Sequence, residues 1–208
     1  MKFFKKIFVF IFVSLIAISC TADRFQGSGW SSPFVDNDNV YVATIDGELI
    51  SINIDNASEN WRAVSLDDDD KKFVAKAIYS KPFIFDNKVF IGTSAGKILG
   101  FNQQTGLDEV SLQDIEEKVL LSEENFGPMI VGNIVSKDKK IFIPASNGEL
   151  SVFQYNDIGM FEPVCSYSAQ KAIWNTPAID DDNEQIIFGS MDGYLYSVDN
   201  KCNLNWKY

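Results

Sequence analysis

The sequence predicts an all-β repeat protein, and three observations carry that expectation. One unit recurs four times. Each copy places a glycine turn between two apolar runs. The first run of each pair is apolar at every position. Aligned on Gly47, Gly96, Gly148 and Gly193, the residues seven to five before the glycine are Val40-Tyr41-Val42, Val89-Phe90-Ile91, Ile141-Phe142-Ile143 and Ile186-Ile187-Phe188. β-branched and aromatic residues favour strands, and a run without alternation suits a strand covered on both faces. Leu49, Ile98, Leu150 and Leu195 follow two residues after the glycine, and Ile52, Phe101, Phe153 and Val198 three further on. Asp46-Gly47, Asn147-Gly148 and Asp192-Gly193 are hairpin signals in which both turn residues are expected at positive φ; Ala95-Gly96 is the weakest copy.

Pro33, Pro82, Pro128 and Pro177 precede the four units. Pro33, ahead of Phe34-Val35, and Pro82, ahead of Phe83-Ile84, are read as leading into a further strand, a position where the missing N–H costs no ladder bond. Polar turns at 36–39, 86–88, 136–140 and 180–183 separate that strand from the apolar triplet. Several strands in a repeat of about 40–50 residues are the mark of propeller blades. Sheets stacked face to face then account for strands buried on both sides. The expected blades cover about residues 29–66, 78–113, 125–168 and 173–208, with Asp114–Leu121 read as a helical insertion.

The first twenty residues read as an address. Met1–Lys6 is basic, Ile7–Ile18 is apolar apart from Ser14, and Ser19-Cys20 follows. This is the order of a signal peptide, and the apolar run is shorter than the ~20 residues a spanning helix needs. An uncleaved anchor helix is the alternative. Ala17-Ile18-Ser19-Cys20 resembles the lipobox of bacterial lipoproteins. That resemblance implies a signal peptide at 1–19, lipidation of Cys20 and a tether at 20–28. It places the chain outside the cytoplasm, on the cell envelope, facing the periplasm where the host has an outer membrane.

Composition removes several function classes. Eighteen Lys and Arg stand against 29 Asp and Glu, for a net charge of −11. Such a surface repels phosphate backbones, so nucleic acid is excluded as a partner. Histidine is absent, which removes Ser-His-Asp and Cys-His nucleophiles and His-ligated metals. Asp67–Asp70 and Asp180–Asp182 read as solvated loops, because adjacent carboxylates point to different sides. Asp36-Asn37-Asp38 opens like a calcium loop, but Tyr41 and Gly47 occupy the positions that need Gly and Glu. No metal site is expected. Cys165 and Cys202 remain beside Cys20. In an oxidising compartment they either pair or stay as two separate thiols. Trp30 and Trp174, each three residues before a blade proline, either line a partner-facing rim or pack between blades.

The unit running from proline through the apolar triplet, Asp-Gly-x-Leu and a closing Trp resembles the PQQ-like β-propeller repeat, most clearly in Pro33–Trp61 and Pro177–Trp206. The resemblance covers residues 29–208. It implies that the closing Trp docks one blade on the next. Trp61 and Trp206 hold that place; Val110 holds it in the second unit, and a residue near Val164 in the third. The family closes rings of seven or eight blades, and four are present here. The expected partial ring has open edges that accept a partner strand, or a homodimer in which two copies complete eight blades. A lipid anchor on such a propeller resembles lipoproteins that scaffold the insertion of outer-membrane β-barrels. It implies a non-catalytic scaffold with an envelope protein as partner and no cofactor. Two alternatives stand beside it. One is a truncated relative of quinoprotein dehydrogenases, which bind PQQ with calcium and carry an adjacent cysteine pair lacking here. The other is a propeller that binds sugars or small ligands.

Overall fold

The computed structural model describes residues 31–44, 47–64, 77–94, 96–111, 128–156 and 161–208. Cys20 and its signal segment, Trp30, Asp67–Asp70 and the expected helix at 114–121 lie outside these residues. The described residues form sixteen strands and no α-helix. They make four antiparallel sheets of four, each in sequence order. The first holds β1(Phe34–Asp36), β2(Asn39–Ala43), β3(Glu48–Asn53) and β4(Glu59–Val64). The second holds β5(Phe83–Phe85), β6(Lys88–Gly92), β7(Ile98–Asn102) and β8(Asp108–Ser111). The third holds β9(Val135–Lys137), β10(Lys140–Pro144), β11(Glu149–Tyr155) and β12(Phe161–Ser168). The fourth holds β13(Ala178–Asp180), β14(Gln185–Gly189), β15(Leu195–Asp199) and β16(Leu204–Lys207).

The apolar triplets explain how the sheets stack. Successive side chains on a strand point to opposite faces, so each triplet serves two neighbours. Tyr41, with Leu49, Trp61 and Ala63, packs against Val89, Ile91 and Phe101 of the second sheet. Phe90 and Phe83 pack against Ile141, Ile143, Phe153 and Phe161 of the third. Phe142, Leu150 and Val152 pack against Ile186, Phe188 and Val198 of the fourth. The middle residues Tyr41, Phe90 and Phe142 therefore face the following sheet, and the outer residues of the second, third and fourth triplets face the preceding one. Three apolar seams join four sheets.

The turns correct two expectations. Gly47, Gly96, Gly148 and Gly193 have φ of 80°, 77°, 90° and 91°, whereas Asn147 and Asp192 do not reach positive φ. The loop is longer than a two-residue hairpin: the Gly148 N–H donates to the Ala145 carbonyl (3.1 Å) and the Gly193 N–H to the Ser190 carbonyl (3.0 Å). The glycine alone supplies the left-handed residue. Paired positive φ occurs at the preceding hairpin instead, at Asp86-Asn87 (50°, 56°) and Asp138-Lys139 (48°, 62°), each a two-residue loop. Asp and Asn tolerate that region because their short polar side chains bond locally. Pro128 does not lead into β9. The residue one before that strand is Ile134, which is buried in the second seam.

Gly148 and Gly193 separate two penalties. Both need the left-handed region, which costs an L-residue about 1–2 kcal/mol. A Cβ at Gly148 also meets the Ala169 and Lys171 carbonyl oxygens at 2.7 and 2.8 Å, whereas a Cβ at Gly193 meets nothing. We expect Gly148→Ala to lower the unfolding midpoint in urea clearly more than Gly193→Ala. Equal losses would show that strain alone governs both turns.

Candidate interaction faces

The first seam is latched by Trp61. In β4 it lies opposite Ser51, which lies opposite Tyr41. Its ring is 5.9 Å from Tyr41, and its Nε1 donates to the Gln103 carbonyl at 2.9 Å. The ring rests on Gly106 (φ 70°), where an added Cβ would stand 2.6 Å from Trp61 Cε3. The turn beneath it is organised by Asn102, whose Oδ1 accepts from the N–H groups of Gln104 and Thr105. The same Gln103 donates from its side chain, Nε2 to Asp36 Oδ2 at 2.9 Å.

The other seams use different chemistry at matching places. Across the second, the Tyr155 hydroxyl donates to Asp86 Oδ2 at 3.0 Å. Burial pushes that hydroxyl up from its ordinary range, and the bond to the Asp86 carboxylate adds to it. Val110 stands opposite Gly100, at the register position of Trp61. In the third sheet that position, opposite Val152, is Cys165, next to Val164. Val164 is the extra residue of a bulge between Val152 and Phe153 and is exposed. Cys165 is disulfide-bonded to Cys202, with Cα atoms 5.8 Å apart. Cys202 has φ 62° and sits in the turn after β15, as Gly106 sits in the turn after β7. A covalent bond thus stands at the third seam where the first has an indole on a glycine. Lys137 also pairs with Asp181 across this seam.

The end faces of the stack have no sheet against them among the described residues. On the fourth sheet, Trp206 lies opposite Ser197, which lies opposite Ile187. This repeats the Trp61–Ser51–Tyr41 row of the first. The preceding asparagines match too: Asn60 Nδ2 donates to Ser51 Oγ (3.2 Å) and Asn205 Nδ2 to Ser197 Oγ (3.3 Å). Trp61 is 8% exposed and Trp206 39%. Leu195 is exposed on the same face, as the register places it opposite Gly189. At this face's polar margin, the Asp180 carboxylate is held below its usual range by the Asn183 and Gln185 side chains, and Asp199 by Asn203.

On the first sheet, Val40 and Val42 share a face with Val35, Ile50 and Ile52. Their counterparts Val89, Ile91, Ile84, Leu99 and Phe101 receive Trp61 and Tyr41 in the first seam. Val35 is 54% exposed. Arg62, opposite Ile50, is paired with Glu48 and Glu59 beside this patch. Trp174 is exposed, next to Asn175, whose side-chain amide pairs with the Gly189 backbone N–H and carbonyl. Trp30 lies outside the described residues, so the expected aromatic pair is described only at Trp174. Among the described residues, no three His, Cys, Asp or Glu side chains are grouped to hold a metal ion.

The third seam gives a direct test of its cross-link. Closing a loop over the 37 residues between the cysteines contributes about 4 kcal/mol in the chain-entropy account. Cys165→Ser with Cys202→Ser is expected to lower unfolding free energy by about 2–4 kcal/mol, and reductant to have no further effect on that variant. Gly106→Ala is expected to destabilise the first seam and raise Trp61 fluorescence exposure, since its Cβ overlaps the indole.

Comparison with known proteins places this architecture. Residues 22–201 match the family model described as outer membrane protein assembly factor BamB. A relative from Rickettsia conorii, described as uncharacterized protein RC0314, is 26% identical over 111 residues, covering 50% of this chain and 27% of that protein. BamB from Moraxella catarrhalis superposes with a TM-score of 0.65 at 17% identity, over 86% of this chain and 51% of that one. The computationally designed Ika8 protein gives 0.62 at 17% identity, over 85% and 48%. A europium-containing methanol dehydrogenase gives 0.65 at 13% identity, over 88% and 42%. The chain spans about half, or less, of the length of each of these proteins. Four stacked four-stranded sheets, seams built on repeated columns and a family match across residues 22–201 lead to one conclusion: the chain belongs to the BamB family of PQQ-like β-propellers.

Proposed function

We propose that this chain is a non-catalytic, lipid-anchored scaffold of the bacterial envelope that takes part in assembling outer-membrane proteins. The observation that carries the reading is the exposed Leu195 and Trp206 on a strand face with no sheet against it among the described residues. Exposed apolar residues on a folded surface mark sites of association, and strand side chains in a row suit another β structure. The family's description, an outer membrane protein assembly factor, supplies the process. The lipobox at Ala17–Cys20 supplies the address. Cleavage before Cys20 would leave an anchored chain at 20–208, with 20–28 as tether and the blades following. More than one acyl chain on Cys20 gives stable attachment, whereas a single chain binds only marginally. The envelope partner meets the propeller through its faces or strand edges, and Trp174 adds an exposed aromatic near the fourth sheet.

Two measurements test this. Cys20→Ala is expected to block palmitate labelling and move the chain from the membrane pellet to the soluble fraction; a labelled, pelleted variant would overturn the anchor. Removing the protein from its host is expected to lower the amount of folded β-barrel proteins in the outer membrane, with rescue by the wild-type chain and weaker rescue by Cys20→Ala. Saturable binding of PQQ with Ca²⁺ or a lanthanide at micromolar concentration would instead support a quinoprotein role.

A further inference from the structure

We propose that the end of the stack where the chain enters each sheet rests on a lipid bilayer, through a stripe formed by Tyr79, Met129, Val131 and Trp174. The inference rests on the lipid anchor proposed above and gives the anchored chain an orientation. Trp174 then faces lipid, and the envelope partner keeps the sheet faces and edges. Backbone bonds build the stripe. The segments entering the third and fourth sheets are each wedged between two loops, those that follow the second strands of adjacent sheets. The Met129 carbonyl accepts from the Ser146 N–H at 2.9 Å, while the Ile130 N–H donates to the Thr93 carbonyl at 3.2 Å. The same arrangement recurs one sheet on. The Ala172 carbonyl accepts from the Met191 N–H at 2.9 Å, and the Ile173 N–H donates to the Ala145 carbonyl at 3.0 Å. Ahead of the second sheet, the Ala77 carbonyl accepts from the Ser94 N–H at 2.9 Å.

These bonds decide which side chains stay outside. Ile78, Ile130 and Ile173 turn into the three seams, one each, and are buried. Their flanking residues reach toward solvent. Met129 is 36% exposed and Trp174 49%, with Tyr79, Val131 and Ala172 half-buried. None of the five is charged, and they stand in order across three sheets. The second and third sheets have a neighbour on each side. The exposure of Tyr79 and Met129 therefore does not depend on what adjoins the first or the fourth sheet. Lys171, exposed, precedes Ala172. Aromatic rings with a polar edge, apolar side chains and a lysine able to reach a headgroup are the chemistry of a membrane–water interface.

The position of the tether selects lipid as the occupant. Ser31 lies at this same end: its Oγ donates to the carbonyl of Ser80, the residue after Tyr79, at 2.9 Å. Cys20 stands eleven residues before Ser31, so the tether spans at most about 40 Å when fully extended. The first hairpins, with Asp36, Asp86, Asp138 and Asp180, lie at the opposite end. Strands of five or six residues put that end about 20 Å further away. A lipid on Cys20 thus draws the striped end to the bilayer. Such a tether holds it there at an effective concentration on the order of millimolar, so weak insertion is enough. The net charge of −11 repels anionic headgroups. Contact therefore depends on apolar insertion, which scales with the apolar area buried in the interface.

The test is quenching of tryptophan fluorescence in the full lipidated chain, reconstituted in phosphatidylcholine vesicles whose acyl chains carry bromine near the headgroup. Trp30→Phe is present throughout, to keep that residue out of the signal. Quenching is expected in this chain. Trp174→Phe should remove most of it and Trp206→Phe little, both changes being at exposed side chains. Met129→Asp, on an inner sheet, should reduce quenching at Trp174, and its urea transition reports whether it folds. Palmitate labelling of Cys20 follows the anchor separately. An unlabelled chain would overturn the anchor and this proposal together. A labelled chain without quenching, or quenching that Trp174→Phe leaves unchanged, would overturn the membrane contact alone and leave the stripe to a protein partner.

Discussion

The second and third sheets are apolar on both faces, and the rest of the structure follows from that constraint. A sheet with one apolar face can rest on a single partner. A sheet with two needs one on each side. Val89-Phe90-Ile91 shows the consequence: Val89 and Ile91 fill the first seam while Phe90 fills the second. All three are fully buried, so neither neighbour can be removed without exposing them. Burial of a side chain of this size stabilises by about 1.5–3 kcal/mol. Stability in this chain thus depends on adjacency between repeats more than on any one repeat, as in a one-dimensional array.

The apolar columns give attraction without fixing register, and the latches supply it. Each seam pins the end of one sheet to the turn region of the next with a contact of different chemistry. The first uses an indole over a glycine with one directed hydrogen bond. The second uses a tyrosine hydroxyl on a carboxylate amid packed aromatics. The third uses a disulfide together with an ion pair. Between the first and third seams position is kept while chemistry changes, because the bulged outer strand delivers whatever residue stands opposite the fourth position after the turn glycine. Trp61, Val110, Cys165 and Trp206 are that residue in the four sheets.

Much of this was legible in the residues. Spacing from the four glycines located the sheets, and the non-alternating triplets announced burial on both faces. What escaped was geometry that depends on a bulge or on dihedral angles. Periodicity brought the docking column of the third sheet only to the neighbourhood of Val164, because it does not reveal the bulge that makes Val164 the extra residue and Cys165 the occupant. The left-handed pairs at Asp86-Asn87 and Asp138-Lys139 carry no glycine to mark them, while the conspicuous Asn-Gly and Asp-Gly turns use a single left-handed residue. Pro128 matched the spacing of the other prolines but not their structural place, which Ile134 fills. The clips from Gln103 to Asp36 and from Tyr155 to Asp86 connect residues 67 and 69 apart. A repeat-column reading could have found them, since Gln103 and Tyr155 both stand seven after a turn glycine and Asp36 and Asp86 both open a first hairpin.

A stack of two-faced sheets always has two unsatisfied faces unless it closes. Natural arrays usually end on polar caps, and a cap would be visible here as charge in the column of Val40 and Val42 or of Ile187. Charge shares the outward face of the first sheet: Arg62 lies opposite Ile50 and Glu59 opposite Ile52, so the ion-paired Arg62 and Glu59 stand in the rows of Val42 and Val40. On the fourth sheet Asp180, Gln185 and Asp199 form the polar row next to Ile187 and Ser197, while Leu195 and Trp206 stay exposed among the described residues. Whatever seats itself on Trp206 must present a strand face and a carbonyl, as Gln103 does for Trp61. Association at this face is then set by the same columns that build the core.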